Sequence, residues 1–345
     1  MSSSRDDVLN LFAGHSVGRL PVFSGLPSLS SSGLAAAGVR YAAAHTDATR
    51  MAAAAASTFE RYGFESAVVP FDLCVEAEAL GAPVDFQDNV AAYLAPVVTR
   101  PFETNLRAEG WPNLGRLEQA GRVPLVAEAI GLLKSGVGRF VAVGAWIPGP
   151  FTLSWQLFGA EGWLAGLAEA EGVEQWLATV GAALARVARR YREAGADFIT
   201  VHEMGGSPQV IGPASFRRWV KPALTELIAA LPAPAVLSVC GNTNAVVGDL
   251  VDCGAAAVSV DQRNDLARSR QIVGRRALLF GNFDPVGVLS QATPETVAQT
   301  VREIAAAGAD AIWPGCDLWP EIPEANFRAL MESAKGLAAI ISREE

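Results

Sequence analysis

Eight short apolar runs recur along the chain and constrain its fold more than any other feature. Each has the length of a strand, several are β-branched and apolar on both faces, and helical patterns separate most of them. The runs cover residues 20–23, 66–71, 140–146, 198–203, 235–240, 256–261, 277–283 and 311–316. Strands that are apolar on both faces are typical of parallel sheets covered by helices, so the pattern predicts an α/β protein.

Short phrases of one type connect the helical segments to the runs that follow. They read EAGAD at 193–197, DCGAA at 252–256 and AAGAD at 306–310, and each combines a helix end, a glycine and a strand start. The apolar spacing predicts helices at 174–193 and 294–307, the second capped by Thr293. Eight such units favour a single (β/α)8 TIM barrel with a helical N-terminal extension. The alternative is an open doubly wound sheet, but no Gly-x-Gly-x-x-Gly loop follows an early strand.

The composition narrows the class of protein. No linker or charge block divides the 345 residues, so we expect one barrel domain over 1–345, and 50% hydrophobic side chains exclude wholesale disorder. A net charge of −9 argues against a nucleic-acid or membrane partner. No signal peptide or membrane-spanning run is visible, and four cysteines do not make a disulfide framework. We therefore expect a reduced, cytoplasmic protein, for which a homodimer remains open.

Chemistry in a TIM barrel takes place at the carboxyl ends of the strands. The residues at the ends of the predicted strands are Asp72, Trp146, His202, Glu203, Cys240, Asp261, Asn282, Asp284 and Cys316. Thiolate, imidazole and carboxylate are the ligands that zinc takes, so this convergence predicts a zinc site built on Cys240 and Cys316. A single cysteine is more often a small buried hydrophobe, which is our interpretation of Cys74 and Cys253.

Tryptophan is abundant, with eight residues in the chain. We expect Trp146, Trp313 and Trp319 to lie near the mouth of the barrel. Most tryptophans serve core and rim packing, but an apolar mouth would also suit a large, flat substrate.

Several phrases resemble the uroporphyrinogen decarboxylase superfamily, and the likeness extends over nearly the whole chain. They are VPFDLCVEAEALG at 69–81, GPFTL at 149–153, VCGNTN at 239–244, GNFDP at 281–285 and PGC at 314–316. Within the superfamily, the chain looks most like the methylcobalamin:coenzyme M methyltransferase branch. The resemblance implies a (β/α)8 barrel and methyl transfer from a methylated corrinoid to a small acceptor.

The resemblance also implies a zinc site. In that branch a His-x-Cys pair and a later cysteine hold zinc, which binds the acceptor thiol and lowers its pKa. Cys240 and Cys316 match the two cysteines, but Ser238 stands at the position of the histidine. We expect His202, which ends the neighbouring strand, to supply the missing imidazole, with an oxygen of Glu203 or Asp261 as the alternative.

The remaining site residues receive roles from the same resemblance. We expect Asp72, Glu203 and Asp261 to orient the substrate or move protons. The residues expected to contact the tetrapyrrole cofactor are Trp146, Asn242, Asn282 and Asp284. Because the Asp-x-His-x-x-Gly signature of a cobalamin-binding module is missing, the corrinoid would arrive on a partner protein.

Three other functions remain open from the sequence. The protein could demethylate a methoxy or methylamine donor and load the corrinoid, with the metal as Lewis acid. It could be a decarboxylase, since Asp72 and GNFDP match that branch too, although the arginine-rich N-terminal signature is replaced by GRLP at 18–21. It could also be a non-catalytic tetrapyrrole-binding barrel that has lost its metal, as Ser238 would suggest.

Overall fold

The computed structural model describes residues 3–88, 93–102, 112–169, 172–335 and 337. The α-helices are α1 (Ser4–Phe12), α2 (Ser31–Ala36), α3 (Tyr41–Ala44), α4 (Ala48–Tyr62), α5 (Val75–Ala79), α6 (Val123–Ser135), α7 (Pro150–Phe158), α8 (Ala160–Glu169), α9 (Val173–Ala194), α10 (Pro208–Ser215), α11 (Lys221–Ala230), α12 (Val247–Asp252), α13 (Leu266–Val273), α14 (Pro294–Ala306) and α15 (Glu324–Lys335). Short 3-10 or π-helical turns cover Leu117–Gln119, Phe216–Val220 and Pro285–Ser290. None of the helices within these ranges is long and apolar enough to cross a membrane.

Seven parallel strands form the central sheet. Together with a separate pair, the described residues form nine strands: β1 (Ser66–Val69), β2 (Val84–Asp85), β3 (Val97–Val98), β4 (Ala142–Pro148), β5 (Phe198–Glu203), β6 (Ala235–Val239), β7 (Ala257–Val260), β8 (Leu278–Phe283) and β9 (Ala311–Pro314). The order in the large sheet is β1-β4-β5-β6-β7-β8-β9, while β2 and β3 form a separate antiparallel pair. Helices connect the neighbouring strands, as the predicted α/β class requires.

The first predicted strand, at 20–23, is not a regular strand, which corrects the expected count of eight. Pro21 has no N–H to donate to a ladder, and Val22 makes only an isolated parallel bridge to Ile312. The segment nevertheless bonds to both edges of the sheet. Its carbonyl groups accept from Ile312 N (2.9 Å) on one side and from Glu65 N (3.0 Å) on the other.

Inward-facing residues divide the interior into a lower apolar layer and an upper polar one. Because strand side chains alternate with a period of two, Phe198, Thr200 and His202 share one face of β5. The lower members of neighbouring strands belong to one buried cluster with Phe198, which includes Val236, Ala257, Phe280 and Trp313. Two residues farther along β5, β6, β7 and β8, the side chains on this face are polar.

Helix α1 packs on the apolar end of this interior. Phe12 lies 5.5 Å from Phe198 and 5.9 Å from Phe280, measured between ring centroids. Trp313 stacks on Phe280 at 5.1 Å in the same cluster, so our placement of Trp313 near the mouth was wrong. Strand β9 ends at Pro314, two residues earlier than the apolar run, which leaves Trp313 inside the strand. The polar mouth is therefore at the opposite end from α1.

The outer helices form as their sequences predict. Helix α9 buries Trp176, Val180, Leu184 and Tyr191 along one face and ends at Gly195, whose φ of +117° favours glycine. Helix α14 begins after Thr293, whose hydroxyl accepts a hydrogen bond from the backbone of Thr296. Both helices confirm the predicted ranges to within one residue at each end.

Candidate metal and methyl-transfer site

Three side chains from separate strand ends meet at the polar mouth. His202 lies in β5, Cys240 follows β6 directly, and Cys316 follows β9. The sulfur of Cys240 is 3.4 Å from Nε2 of His202 and 3.7 Å from the sulfur of Cys316. The three ligand atoms all lie within 4.8 Å of one another. The strand order explains the meeting of β5 and β6, which are neighbours, and the loop after β9 supplies the third group.

The spacing of these atoms fits a zinc ion. Zinc–sulfur and zinc–nitrogen bonds of about 2.3 and 2.0 Å separate tetrahedral ligands by about 3.8 Å for two sulfurs and about 3.5 Å for sulfur and nitrogen. The observed 3.7 Å and 3.4 Å agree with both values. Two thiolates and one imidazole also match the donor set of catalytic zinc sites, which keep a fourth position open.

The thiols and the imidazole perturb one another. A hydrogen bond from Cys316, together with the charge of His202, lowers the pKa of Cys240 to about 5. The pKa of Cys316 rises well above its usual value because this thiol keeps the proton of the pair. Burial alone would lower the pKa of His202, but the adjacent Cys240 thiolate outweighs burial and raises it. The cluster thus favours the Cys240 thiolate, which is the form in which cysteine binds a metal.

The other nitrogen of His202 faces Ser238. Its Nδ1 is 3.2 Å from the hydroxyl of Ser238, which in turn accepts a hydrogen bond of 3.2 Å from Ser259. Trp146 packs edge-to-face against the imidazole at 5.8 Å and donates its Nε1–H to the carbonyl of Pro70. Ser238 therefore contacts the imidazole of the cluster and is not itself among the grouped ligands.

Two glycines allow the cysteine loops to approach their neighbours. Gly241 has φ of +80°, and its N–H donates to Asp261 at 2.9 Å. A Cβ on Gly315 would lie 2.2 Å from Oε1 and 2.5 Å from the backbone nitrogen of Gln262, so only glycine fits beside Cys316.

Asp261 and Glu203 do not join the grouped ligands. The Asp261 carboxylate accepts from the backbone of Gly241 and Arg263. Glu203 accepts from the hydroxyl of Thr152 and from the backbone of Phe151 and Gly206. Burial raises the pKa of Glu203 against these hydrogen bonds. Each carboxylate thus holds a loop or a helix start beside the cluster.

Asp72 lies in a buried ion-pair network. Its carboxylate accepts 2.8 Å and 3.0 Å hydrogen bonds from Arg122 and contacts Nδ1 of His45 at 2.8 Å. Burial alone would raise its pKa, but the hydrogen bonds from His45 and Arg122 hold it well below its usual range. At neutral pH this group is therefore an ionised anchor.

The sequence did not reveal the partners of Asp72. Arg122 lies 50 residues after Asp72 along the chain, and His45 lies 27 residues before it. A buried aspartate predicts a cationic side chain beside it, but the sequence does not say which residue supplies that cation. Glu76 is also buried, at the start of α5.

The residues expected to contact a cofactor differ in exposure. Asn242 is exposed and its side-chain oxygen accepts from Asn244. The amide of Asn282 donates to the carbonyl groups of Asp261 and Asn264, while Asp284 caps the turn at Pro285–Ser290. Trp146 is buried.

Comparison with known proteins adds to this geometry. Residues 3–337 match the family described as uroporphyrinogen decarboxylase (URO-D). A methylcobamide:CoM methyltransferase from Methanosarcina barkeri is 29% identical over 296 residues, covering 85% of this chain and 86% of that protein. Another, from Methanosarcina acetivorans, is 30% identical over 324 residues, covering 92% and 94%.

A solved structure is also similar to this chain. A methyltransferase from Methanosarcina mazei superposes with a TM-score of 0.90 at 28% identity, covering 97% of this chain and 99% of that one. The likeness extends over the whole fold that positions the cluster.

Proposed function

Because the chain belongs to the uroporphyrinogen decarboxylase family, we propose that it is a corrinoid-dependent methyltransferase with a zinc-activated thiol acceptor. The observation that carries the proposal is the meeting of His202, Cys240 and Cys316 within 4.8 Å. The similarity to methylcobamide:CoM methyltransferases supports the reaction class. A decarboxylase has no evident use for two thiols at the mouth.

The donor set determines the chemistry. A zinc ion held by His202, Cys240 and Cys316 would lower the pKa of an acceptor thiol, which then reacts as a thiolate. In the overall reaction a sulfur–carbon bond forms, the cobalt–carbon bond breaks, and the acceptor thiol loses its proton. The protein holds its ligands in place through Trp146 beside the imidazole and through the Asp261–Gly241 bond behind Cys240.

The three buried carboxylates hold the backbone around the site in place. Asp72, kept ionised by Arg122 and His45, orients the segments that precede α5. Glu203 holds the start of α7 and the Gly206 turn, and Asp261 fixes the backbone beside Cys240.

The corrinoid would dock on the loops that follow the strands. Four exposed apolar side chains lie on loops or helices that follow strands β5, β8 and β9, namely Met204, Val210, Val286 and Trp319. They would contact the apolar face of a corrinoid carried by a partner protein, with Asn242 as a polar contact and Asn282 and Asp284 shaping the loops.

The same proposal includes a closed barrel. The segment at 20–24 would take the place of an eighth strand, since it bonds to β9 and to the start of β1. The four cysteines are free, which suits a reducing compartment such as the cytoplasm.

The direct test is methyl transfer from free methylcob(III)alamin to CoM, followed by the visible spectrum of the cobalamin. Zinc-loaded protein should demethylate the cobalamin in a thiol-dependent reaction, whereas Cys240→Ser should be at least about 100-fold slower. Thiol-dependent activity that is equal with and without zinc would reject the metal role. If cobalamin is instead methylated from a methoxy or methylamine donor, the protein is a demethylase.

A further inference from the structure

Strands β5, β6 and β7 carry three polar side chains at one level of the interior. The parallel ladders pair His202 with Ser238 and Ser238 with Ser259. All three side chains are buried, with 3%, 3% and 1% of their surface exposed. The row runs Nδ1 of His202, Oγ of Ser238, Oγ of Ser259, with 3.2 Å at each step. It lies one pleat below Cys240 and Asp261, which follow two residues later on the same face.

We propose that Ser238 and Ser259 are positioning residues that orient the imidazole of His202 toward the thiols, a role that rests on the proposed metal site. Ser259 donates its hydroxyl proton to Ser238, whose hydroxyl can donate to Nδ1 or accept from it. Nε2 lies 3.4 Å from the sulfur of Cys240. A metal bound to Nε2 would leave the imidazole proton on Nδ1, where the Ser238 oxygen accepts it.

The need for such a device follows from the chemistry of imidazole. A neutral imidazole binds a metal through the nitrogen that lacks the proton, and the hydrogen bond of the other nitrogen sets which one that is. Trp146 restricts the tilt of the ring from one side, but a ring edge cannot select a tautomer. Among the described hydrogen bonds of His202, the one that involves Nδ1 is made with Ser238, and the one that involves Nε2 is made with Cys240.

The first test needs no metal. Nitrogen-15 NMR of the metal-free protein resolves the two ring nitrogens of each of the three histidines, and His202→Gln identifies the resonances of His202. Because Ser238 contacts Nδ1, we expect Ser238→Ala to shift the Nδ1 resonance of His202 more than the Nε2 resonance. An unchanged Nδ1 resonance would mean that Ser238 does not hold the ring, and would overturn the inference.

The second test uses zinc affinity, measured by competition with a chromophoric chelator. Ser238→Ala should weaken zinc binding by roughly 10–100-fold and Ser259→Ala by a smaller factor, because the second hydroxyl acts only through the first. Ser269→Ala is the matched control, since Ser269 is equally buried but bonds to the backbone of Asp265 in α13. It should leave affinity unchanged.

The outcomes separate the inference from the function. If the wild-type protein binds zinc and Ser238→Ala binds it equally well, the serine row has no positioning role and the metal site stands. If the wild-type protein binds no zinc while Ser238→Ala shifts the Nδ1 resonance of His202, the metal role fails and the contact between Ser238 and the ring stands. Cobalt substitution gives a further readout, since the visible bands of the Ser238→Ala protein should shift if the imidazole turns.

Discussion

At the scale of single residues, the structure separates the four cysteines into two kinds. Cys240 and Cys316 share the polar mouth, whereas the sulfur of Cys74 contacts the carbonyl of Pro96 and that of Cys253 the carbonyl of Asp249. We predict that Cys240→Ser and Cys316→Ser each lower zinc affinity by at least about 100-fold. The measurement is competitive zinc titration.

The other two cysteines are the controls for that titration. Cys74→Ser and Cys253→Ser should retain wild-type affinity, because both thiols are buried and neither belongs to the group of His202, Cys240 and Cys316. Equal losses in all four variants would assign the effect to folding, and Cys240 and Cys316 would return to the role of small buried hydrophobes.

Glu76 gives a prediction about pH. Its carboxyl is buried, Oε1 has no hydrogen-bond partner among the described residues, and burial raises its pKa to about 8. The unfolded chain releases this proton above a pH of about 4.3, while the folded chain keeps it to about 8. The contribution of Glu76 to stability is therefore greatest at low pH and falls by up to about 1.4 kcal/mol per pH unit in between.

Glu76→Gln should remove that slope. Relative to wild type, its free energy of unfolding by urea should improve steadily from pH 5 to pH 8, since glutamine does not titrate. Glu60→Gln, at an exposed position of α4, should follow the wild-type curve. Parallel curves for Glu76→Gln and wild type would show that Glu76 ionises normally in the folded protein.

At the scale of elements, the register of β5 and β6 suggests that a histidine at position 238 could replace the one at position 202. His202 and Ser238 are ladder partners, and Ser238 shares a face with Cys240 because the two are separated by two residues. We predict that the double variant H202S/S238H binds zinc more tightly than H202S alone by at least about 10-fold, since an imidazole at 238 again adjoins Cys240. Chelator competition on both proteins measures the difference.

H202S alone serves as the reference for lost imidazole. If the double variant binds no better than this reference, then an imidazole on β6 does not reach the thiols, and only the β5 position serves.

Elements with local signals were predictable from the sequence, and pairings between distant segments were not. Helices α9 and α14 carry caps and an apolar face, so their ends were predicted closely. The run at 20–23 has the apolar pattern of a strand, but Pro21 interrupts the ladder. The site cysteines followed from their places at strand ends, whereas Arg122 reaches Asp72 only through tertiary packing.

At the scale of the whole molecule, Glu65 connects the segment at 20–24 to the sheet. Its carboxylate accepts from the backbone of Val22 at 2.6 Å and from Arg19 at 3.0 Å. Glu65→Ala should lower the free energy of unfolding by roughly 2–3 kcal/mol, because a buried N–H loses a charged acceptor. Urea denaturation measures the loss, with Glu60→Ala as the exposed control.

Amide hydrogen exchange tests the same closure directly. The amides of Phe23 and Ile312, which bond across the seam, should exchange only with global unfolding in wild type and faster in Glu65→Ala. Fast exchange of both amides in wild type would show that the segment at 20–24 does not close the sheet.

The central claim is that one chain holds one metal ion through His202, Cys240 and Cys316. The most direct measurement is the zinc content of the purified wild-type protein by elemental analysis, after chelation, reloading with zinc and removal of excess. We predict about one zinc per chain in wild type and almost none in the Cys240→Ser/Cys316→Ser protein. A wild-type protein that retains no zinc after reloading, or a double variant that retains as much as wild type, would contradict the claim.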